Sequence, residues 1–161
     1  MSPFPLTAGK RIAADDLNDL LPDGMAFSTY TPVLRSSGTQ PTLGTGSVVH
    51  GRYYRLGRLL FLYVRIQFGT SGVGAGTGDY YVSLPLNTAP RLSEFGFRMG
   101  RGTAYDASTN TSWVIDAAAP IGVNNEFLFI PDRAGVVGAG IPFAWAANDR
   151  LDFSAFYEVA A

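Results

Sequence analysis

The chain has 161 residues, enough for about one domain, and 47% of them are hydrophobic. It contains no cysteine, which excludes disulfides, thiolate catalysis and cysteine-ligated metal sites. Its net charge of -1 gives no long-range attraction to nucleic acid, and no apolar run approaches the roughly 20 residues of a membrane span. We therefore expect neither nucleic-acid binding nor membrane insertion, and no residue pattern indicates a cofactor. The first residues also lack the basic cluster and apolar stretch of a secretory signal.

Residues 1–24 carry the one segment for which the sequence predicts a helix. Met1–Leu6 contains two prolines and is predicted to form an extended arm. In residues 12–21 apolar side chains recur at helical spacing, and two aspartates stand in the first turn, where they favour the helix dipole. The candidate anchoring or oligomerisation residues are Ile12, Leu17, Leu20 and Leu21. A helix of about ten residues is marginal alone, so it packs on its own sheet or docks on a partner. The sequence leaves both possibilities open.

From residue 25 to residue 161 the pattern predicts a β domain, whose centre is a hairpin in residues 44–68. Gly57 suits the turn, because glycine adopts positive φ without steric cost. In the second arm of the hairpin, alternate apolar residues starting at Leu60 predict a core face. The other face begins apolar at Leu59 and ends polar at Gln67. We expect its Leu59 end to be covered by another layer or a neighbouring subunit.

Further short strands are predicted along the rest of the chain. They cover residues 27–34, 80–84, 95–105, 113–119, 126–130 and 150–159. Because no crossover helices separate them, they favour an antiparallel β-sandwich or jelly-roll-like domain over a parallel α/β fold. The glycine-rich stretch 69–78 is predicted to be a flexible loop. It does not fit a phosphate-binding loop, because a strand follows it where such a loop requires a helix.

One group of polar and aromatic residues is a candidate binding site. Tyr105, Asp106 and Trp113 combine aromatic rings with a carboxylate, and sugar rings are often held by stacking beside such a hydrogen-bonding group. Burial of Trp113 in the core is the alternative. Asp106 and Asp116 could also be imagined as the acid pair of a glycosidase, but solvated or turn-capping carboxylates explain two aspartates in a β domain better. The chain is therefore not expected to be an enzyme.

Two stretches of the chain resemble bacteriophage proteins. Ala14-Asp15-Asp16-Leu17-Asn18 resembles the leading segment of many small tail and minor structural proteins of tailed phages, with Ala13 where a capping threonine is common. The stretch from Thr31 to Gly69 and the closing PFAWAANDRLDFSAFYE are similar to β-rich virion proteins of phages that infect actinobacteria. Together these stretches cover well over half of the chain.

The resemblance implies a virion structural protein that is attached by its amino-terminal segment and exposes an oligomeric β domain, often a trimer. Other virion proteins would then be its partners, and a host cell-wall glycan a possible target. The resemblance supports a component of the phage particle better than it supports any one location on it. We expect a tail-tip or fibre component for adhesion, with capsid decoration or a head fibre as the alternative. A free carbohydrate-binding module is the alternative from another class.

Overall fold

A computed structural model describes residues 27–85, 98–118, 126–131 and 135–159 of the chain. The predicted arm and helix lie outside these residues, as do their candidate anchoring residues Ile12, Leu17, Leu20 and Leu21. None of the described ranges contains a helix long and apolar enough to cross a membrane. The predicted boundary between the two segments near residue 24 also lies outside the described part.

The described chain is all-β, as predicted. Its strands are β1 (Ser28–Tyr30), β2 (Leu34–Ser36), β3 (Val48–Leu56), β4 (Leu59–Gln67), β5 (Tyr80–Ser83), β6 (Arg98–Asp106), β7 (Thr111–Ala118), β8 (Glu126–Pro131) and β9 (Arg150–Glu158). They pair in the order β1-β3-β4-β9-β6-β7-β8-β5-β2, and every pairing is antiparallel. This confirms the prediction of an antiparallel, sandwich-like fold, whereas the jelly-roll connectivity is not confirmed.

The two outer strands of this order, β1 and β2, are consecutive in the chain. Only residues 31–33 separate them, and Pro32 stands in this corner, so the strand predicted over residues 27–34 is two short strands. The corner is held against β5, because the Ser83 amide donates to the Val33 carbonyl over 3.0 Å. The Tyr30 hydroxyl donates to the Ser83 carbonyl over 3.3 Å. The corner therefore brings the two ends of the sheet together around one core.

The core lies on the face that the alternation in β4 and β9 predicts. In β4 the residues at alternate positions from Leu60 to Ile66 are all buried, and Gly57 makes the β3–β4 turn with a φ of 59°. The corresponding residues of β9, from Leu151 to Tyr157, are also buried. Because side chains alternate along a strand, the residues between them face outward. We call the surface they form on β3, β4, β9, β6 and β7 the outer face.

The glycines of β6 permit a close approach to β9, as their pattern predicts. A Cβ at Gly100 would collide with the Ser154 carbonyl, and one at Gly102 would collide with the Asp152 carbonyl. The register between β6 and β7 also shifts between Arg98 and Gly100, which marks a bulge. The bulge interrupts the alternation, so Met99 is buried while the side chain two residues later is exposed.

One end of the domain, which we call the loop end, is formed by the loops around residues 37–47 and 69–79, the β6–β7 turn and residues 145–149. The first two loops pair with each other through backbone hydrogen bonds, including those between Thr42 and Gly74 and between Thr45 and Ser71. Gly69 fits there because a Cβ would collide with the Thr45 carbonyl. The prediction that residues 69–78 form a flexible loop is thus corrected: glycine serves close backbone packing here.

The opposite end, which we call the groove end, contains the β3–β4 turn and the last residues of β9. Most of the residues at which a described range begins or ends also lie at this end, as the strand directions show. These bordering residues are Phe27, Pro85, Arg98, Ala118, Glu126 and Val159. The chain therefore enters the described domain at the groove end, and it leaves there as well.

Candidate functional site

A groove of about 780 Å³ lies at the groove end, and its walls are mostly apolar. It opens where the ladder between β6 and β9 stops, at the pair Gly100 and Ala155. We call it the aromatic groove. Its walls are formed by Phe27, Leu59, Phe61, Leu62, Tyr63, Arg98, Met99, Gly100, Arg101, Ser154, Ala155, Phe156, Tyr157 and Glu158.

A row of aromatic rings crosses the outer face beside this groove. Tyr54, Phe61 and Phe156 are direct cross-strand partners on β3, β4 and β9, so strand register places their side chains side by side. The ring centroids of Tyr54 and Phe61 are 6.5 Å apart, and those of Phe61 and Phe156 are 6.3 Å apart. Phe27 extends the row, because its ring lies 6.1 Å from that of Tyr54. Four rings from four separate parts of the chain therefore form one surface.

Among the described residues, three of these four rings are exposed and Tyr54 is half-buried. Phe156 is 63% exposed, Phe27 is 50% exposed and Phe61 is 42% exposed. The next cross-strand pair on the same face, two residues nearer the turn, is Leu56 and Leu59. Both side chains are exposed and extend the apolar surface. Single exposed apolar residues are common on soluble proteins, whereas large contiguous patches mark contact surfaces. The expectation that another layer or subunit covers the Leu59 end therefore stays a prediction, since no described residue covers it.

Charged groups border the aromatic groove. Arg58 pairs with Glu158 over 3.2 Å at the turn, and Arg98 reaches Asp116 over 2.7 Å on the far side. The Arg52 guanidinium lies 5.8 Å from the ring centroids of both Phe27 and Tyr63, within range of a cation–π contact. Exposed ion pairs of this kind contribute little stability, so these charges mainly set the electrostatic character of the groove border.

The same outer face becomes polar toward the loop end. Arg65 donates to Asp152 over 2.7 Å, and the hydrogen bond to this carboxylate raises the pKa of Arg65. Arg150 also lies 2.6 Å from Asp152, which thus holds two guanidinium groups. Arg65 is thus hydrogen-bonded within the domain, whereas the buried Nε of Arg150 has the ion pair with Asp152 but no hydrogen bond of good geometry. Exposed apolar side chains also occur singly elsewhere on this face, at Val48 and Val114, but the exposed rings adjoin one another only at the groove end.

The predicted binding residues Tyr105 and Trp113 lie on opposite faces of the sheet. Trp113 is the cross-strand partner of the fully buried Ala104, and its ring packs 4.9 Å from that of Phe143 beside the core. Tyr105 is the next residue of β6 and faces outward, where its hydroxyl donates to Asn110 over 2.9 Å. The structure therefore does not bring these two rings together around one ligand.

The Asp106 carboxylate closes the β6–β7 turn. Its Oδ1 accepts from the backbone amide and the hydroxyl of Ser108, over 2.8 and 2.7 Å, and from the amide of Thr109 over 3.3 Å. These hydrogen bonds, the one from the Ser108 hydroxyl first, lower the pKa of Asp106. The geometry is that of a turn-capping carboxylate, the alternative that the sequence favoured over an acid in a glycosidase pair.

Sequence reasoning did not single out Phe156 or Tyr54 as part of a surface. A signal was present, since Phe156 stands among the polar alternate positions of β9, between Ser154 and Glu158. That signal is weak alone, because a single exposed apolar residue is common and only a contiguous patch marks a contact surface. Its neighbours Tyr54 and Phe61 follow only from the strand register, which pairs distant parts of the chain.

Within the described ranges, no group of three or more histidine, aspartate or glutamate side chains could hold a metal ion. The candidate site is thus a surface for packing against apolar groups, bordered by charge. Comparison of the chain with protein-family models, with curated protein sequences and with solved structures finds no significant match.

Proposed function

We propose that this protein is a non-enzymatic structural component of a tailed-phage virion. Residues 1–24 attach it to other virion proteins, and the β domain is exposed on the particle as an oligomer, a homotrimer by analogy with virion fibres. One observation carries the proposal: the chain enters the domain at Phe27, beside the exposed aromatic surface of the groove end. The resemblance in residues 14–18, 31–69 and 142–158 supports it.

The contrast between the two ends supports this orientation. At the loop end, backbone groups and buried carboxylates hydrogen-bond within the domain, which suits a surface that faces solvent or a host cell. At the groove end, exposed rings gain free energy when another surface removes them from water. Because the chain enters the domain at Phe27, at the groove end, this end is the side nearer the particle, and the loop end is the side that points away.

The exposed β domain would serve adhesion at a tail tip or fibre, or else decorate the capsid. Adhesion fits a loop end that presents polar loops to a host cell-wall glycan. The separation of Tyr105 from Trp113 removes the pair of rings that favoured a free carbohydrate-binding module. That module remains an outcome of the experiment below.

The experiment places a single thiol at the loop end and locates it on particles. Because the chain has no cysteine, Thr109→Cys in the β6–β7 turn gives one attachment point for a maleimide–gold label. Particles that carry the unsubstituted chain are the control for nonspecific labelling. We expect gold at the tail tip, or over the head if the protein decorates the capsid. Gold absent from particles that are otherwise complete would contradict a virion component and favour the free module.

A further inference from the structure

The aromatic groove has a chemistry that restricts what can cover it. Its floor is aromatic and aliphatic, and the charged groups on it and at its border are four guanidiniums and two carboxylates, a net charge of +2. These groups belong to Arg52, Arg58, Arg98, Arg101, Asp116 and Glu158. A fitting occupant therefore combines an apolar stripe with a net negative charge.

The chain carries such a segment immediately before the described domain. Residues 12–21, Ile-Ala-Ala-Asp-Asp-Leu-Asn-Asp-Leu-Leu, contain three aspartates and no basic residue, so their charge is -3. At helical spacing Leu17, Leu20 and Leu21 share one side, with Asp16 beside it. The other two aspartates lie on the opposite side and contribute to the charge of the segment as a whole. A ten-residue helix is about 15 Å long and is marginal in water unless its apolar side is covered. Docking would therefore remove the leucines of the segment and the rings of the groove from water at the same time.

The connection between the two is short and leads to the groove. Leu21 is six residues before Phe27, a distance that an extended chain spans up to about 20 Å. Phe27 itself lines the groove, and from its ring the next three rings follow in steps of 6.1, 6.5 and 6.3 Å. The segment therefore reaches every ring of the row while it is still tethered. A tether this short keeps the segment at an effective concentration in the millimolar range at its own groove.

We propose that residues 12–21 dock as a helix in the aromatic groove of their own chain, with Leu17, Leu20 and Leu21 on the aromatic row. This chooses packing on its own sheet over docking on a second copy. It does not rest on the proposed function, because it holds for the free protein as well. On a particle, the docked helix would fix where the arm Met1–Leu6 leaves the domain.

Cross-linking of the purified full-length chain tests the proposal. The variant Leu20→Cys with Ser154→Cys places one thiol on the leucine stripe and one in the groove, and a short bis-maleimide joins thiols that are close. The matched control is Leu20→Cys with Ser112→Cys, because Ser112 is also exposed on the outer face but lies at the loop end. We expect at least a tenfold faster intramolecular cross-link for the Ser154 pair. Equal rates for the two pairs would overturn the docking, and a dimeric product at low protein concentration would make a second copy the occupant.

A second measurement uses an apolar dye, 8-anilinonaphthalene-1-sulfonate, as a probe for the uncovered groove. Leu17→Ser with Leu20→Ser removes two leucines of the stripe, and Asn18→Ser is the control within the same segment. We expect several-fold higher dye fluorescence for the double variant and no change for the control. Strong dye fluorescence of the unsubstituted chain that Phe156→Ser abolishes would show an open groove and overturn the proposal. Neither result depends on particle labelling, so this inference and the virion proposal can fail separately.

Discussion

The loop end and the groove end of the domain differ in how their surfaces are completed. At the loop end, Trp145 is buried against Phe68 and Tyr80, and its indole nitrogen donates to the Gly138 carbonyl over 2.9 Å. At the groove end, Phe156 presents most of its ring outward. Among the described residues, these aromatic side chains of the loop end are packed into the core, whereas three rings of the groove end stay exposed. We therefore look for a contact surface at the groove end, where the described residues leave several apolar side chains exposed.

The largest expected difference is in the free energy of unfolding, between variants that lack one aromatic residue from each end. Trp145→Ala removes a buried indole and its hydrogen bond, and large-to-small core substitutions of this kind cost about 3–5 kcal/mol. Phe156→Ala removes a ring that the described residues leave exposed and that only the proposed helix would cover, so we expect a smaller loss of about 1–2 kcal/mol. Urea unfolding followed by circular dichroism gives both free energies of unfolding. Similar losses for the two variants would contradict the contrast between the ends.

The next effect tests whether glycine at the loop end serves close packing. Gly69→Ala puts a methyl group against the Thr45 carbonyl, and such overpacking costs about 1–3 kcal/mol. Gly140→Ala is the matched control, because its Cβ would meet nothing within 4 Å and its φ is ordinary. We expect the control to stay within about 0.5 kcal/mol of the unsubstituted chain. An unchanged free energy of unfolding for Gly69→Ala would mean that residues 69–78 form the flexible loop that composition suggested.

A smaller effect concerns two carboxylates of the loop end whose pKa values move in opposite directions. Asp149 is buried and accepts from the Ala107 and Ala146 amides over 2.9 and 2.6 Å, and burial raises its pKa. The lowered pKa of Asp106 contributes stability that is present above the unfolded pKa of about 3.9 and is lost as pH falls through the folded value. The raised pKa of Asp149 contributes stability that is present below about 3.9 and is lost as pH rises through the folded value.

Unfolding at a series of pH values between 2 and 7 separates these contributions. Asp106→Asn should flatten the fall in stability below about pH 4, and Asp149→Asn should flatten the fall that the unsubstituted protein shows above about pH 4. Thr109→Ser leaves both carboxylates and the backbone donors in place and is the control. If the free energy of unfolding changes with pH in the same way in both aspartate variants as in the unsubstituted protein, the pKa values of Asp106 and Asp149 do not shift on folding as their contacts predict.

Patterns along single strands predicted much of the fold. Leu60 to Ile66 and Leu151 to Tyr157 have the alternation of half-buried strands, and the structure buries the expected side of each. The sequence did not show that a bulge follows Arg98, because the position of the bulge depends on the register in which β6 pairs with β7. The paired loops of the loop end were also missed, since glycine is typical both of flexible chain and of close backbone contact.

The aromatic groove could be predicted only in part. The apolar start of the outer face at Leu59 and Phe61 is visible in the sequence of β4. That Tyr54 and Phe156 complete a row with Phe61 depends on the register of β3 and β9, and no local pattern encodes it. Tyr105 and Trp113 looked like neighbours because a short turn separates their strands, yet their positions on the strands place them on opposite faces.

The central claim is that the aromatic groove is covered in the intact protein, and thiol reactivity tests it most directly. Ser154→Cys places a thiol in the groove, and Ser112→Cys places one on the same face at the loop end, each by exchange of a single oxygen for sulfur. Both serines are exposed in the described part of the chain, so an open groove would give similar rates with a maleimide. We predict that Ser154→Cys reacts at least tenfold more slowly in the full-length native protein and equally fast once both variants are unfolded in urea. Equal rates in the native protein would contradict the account.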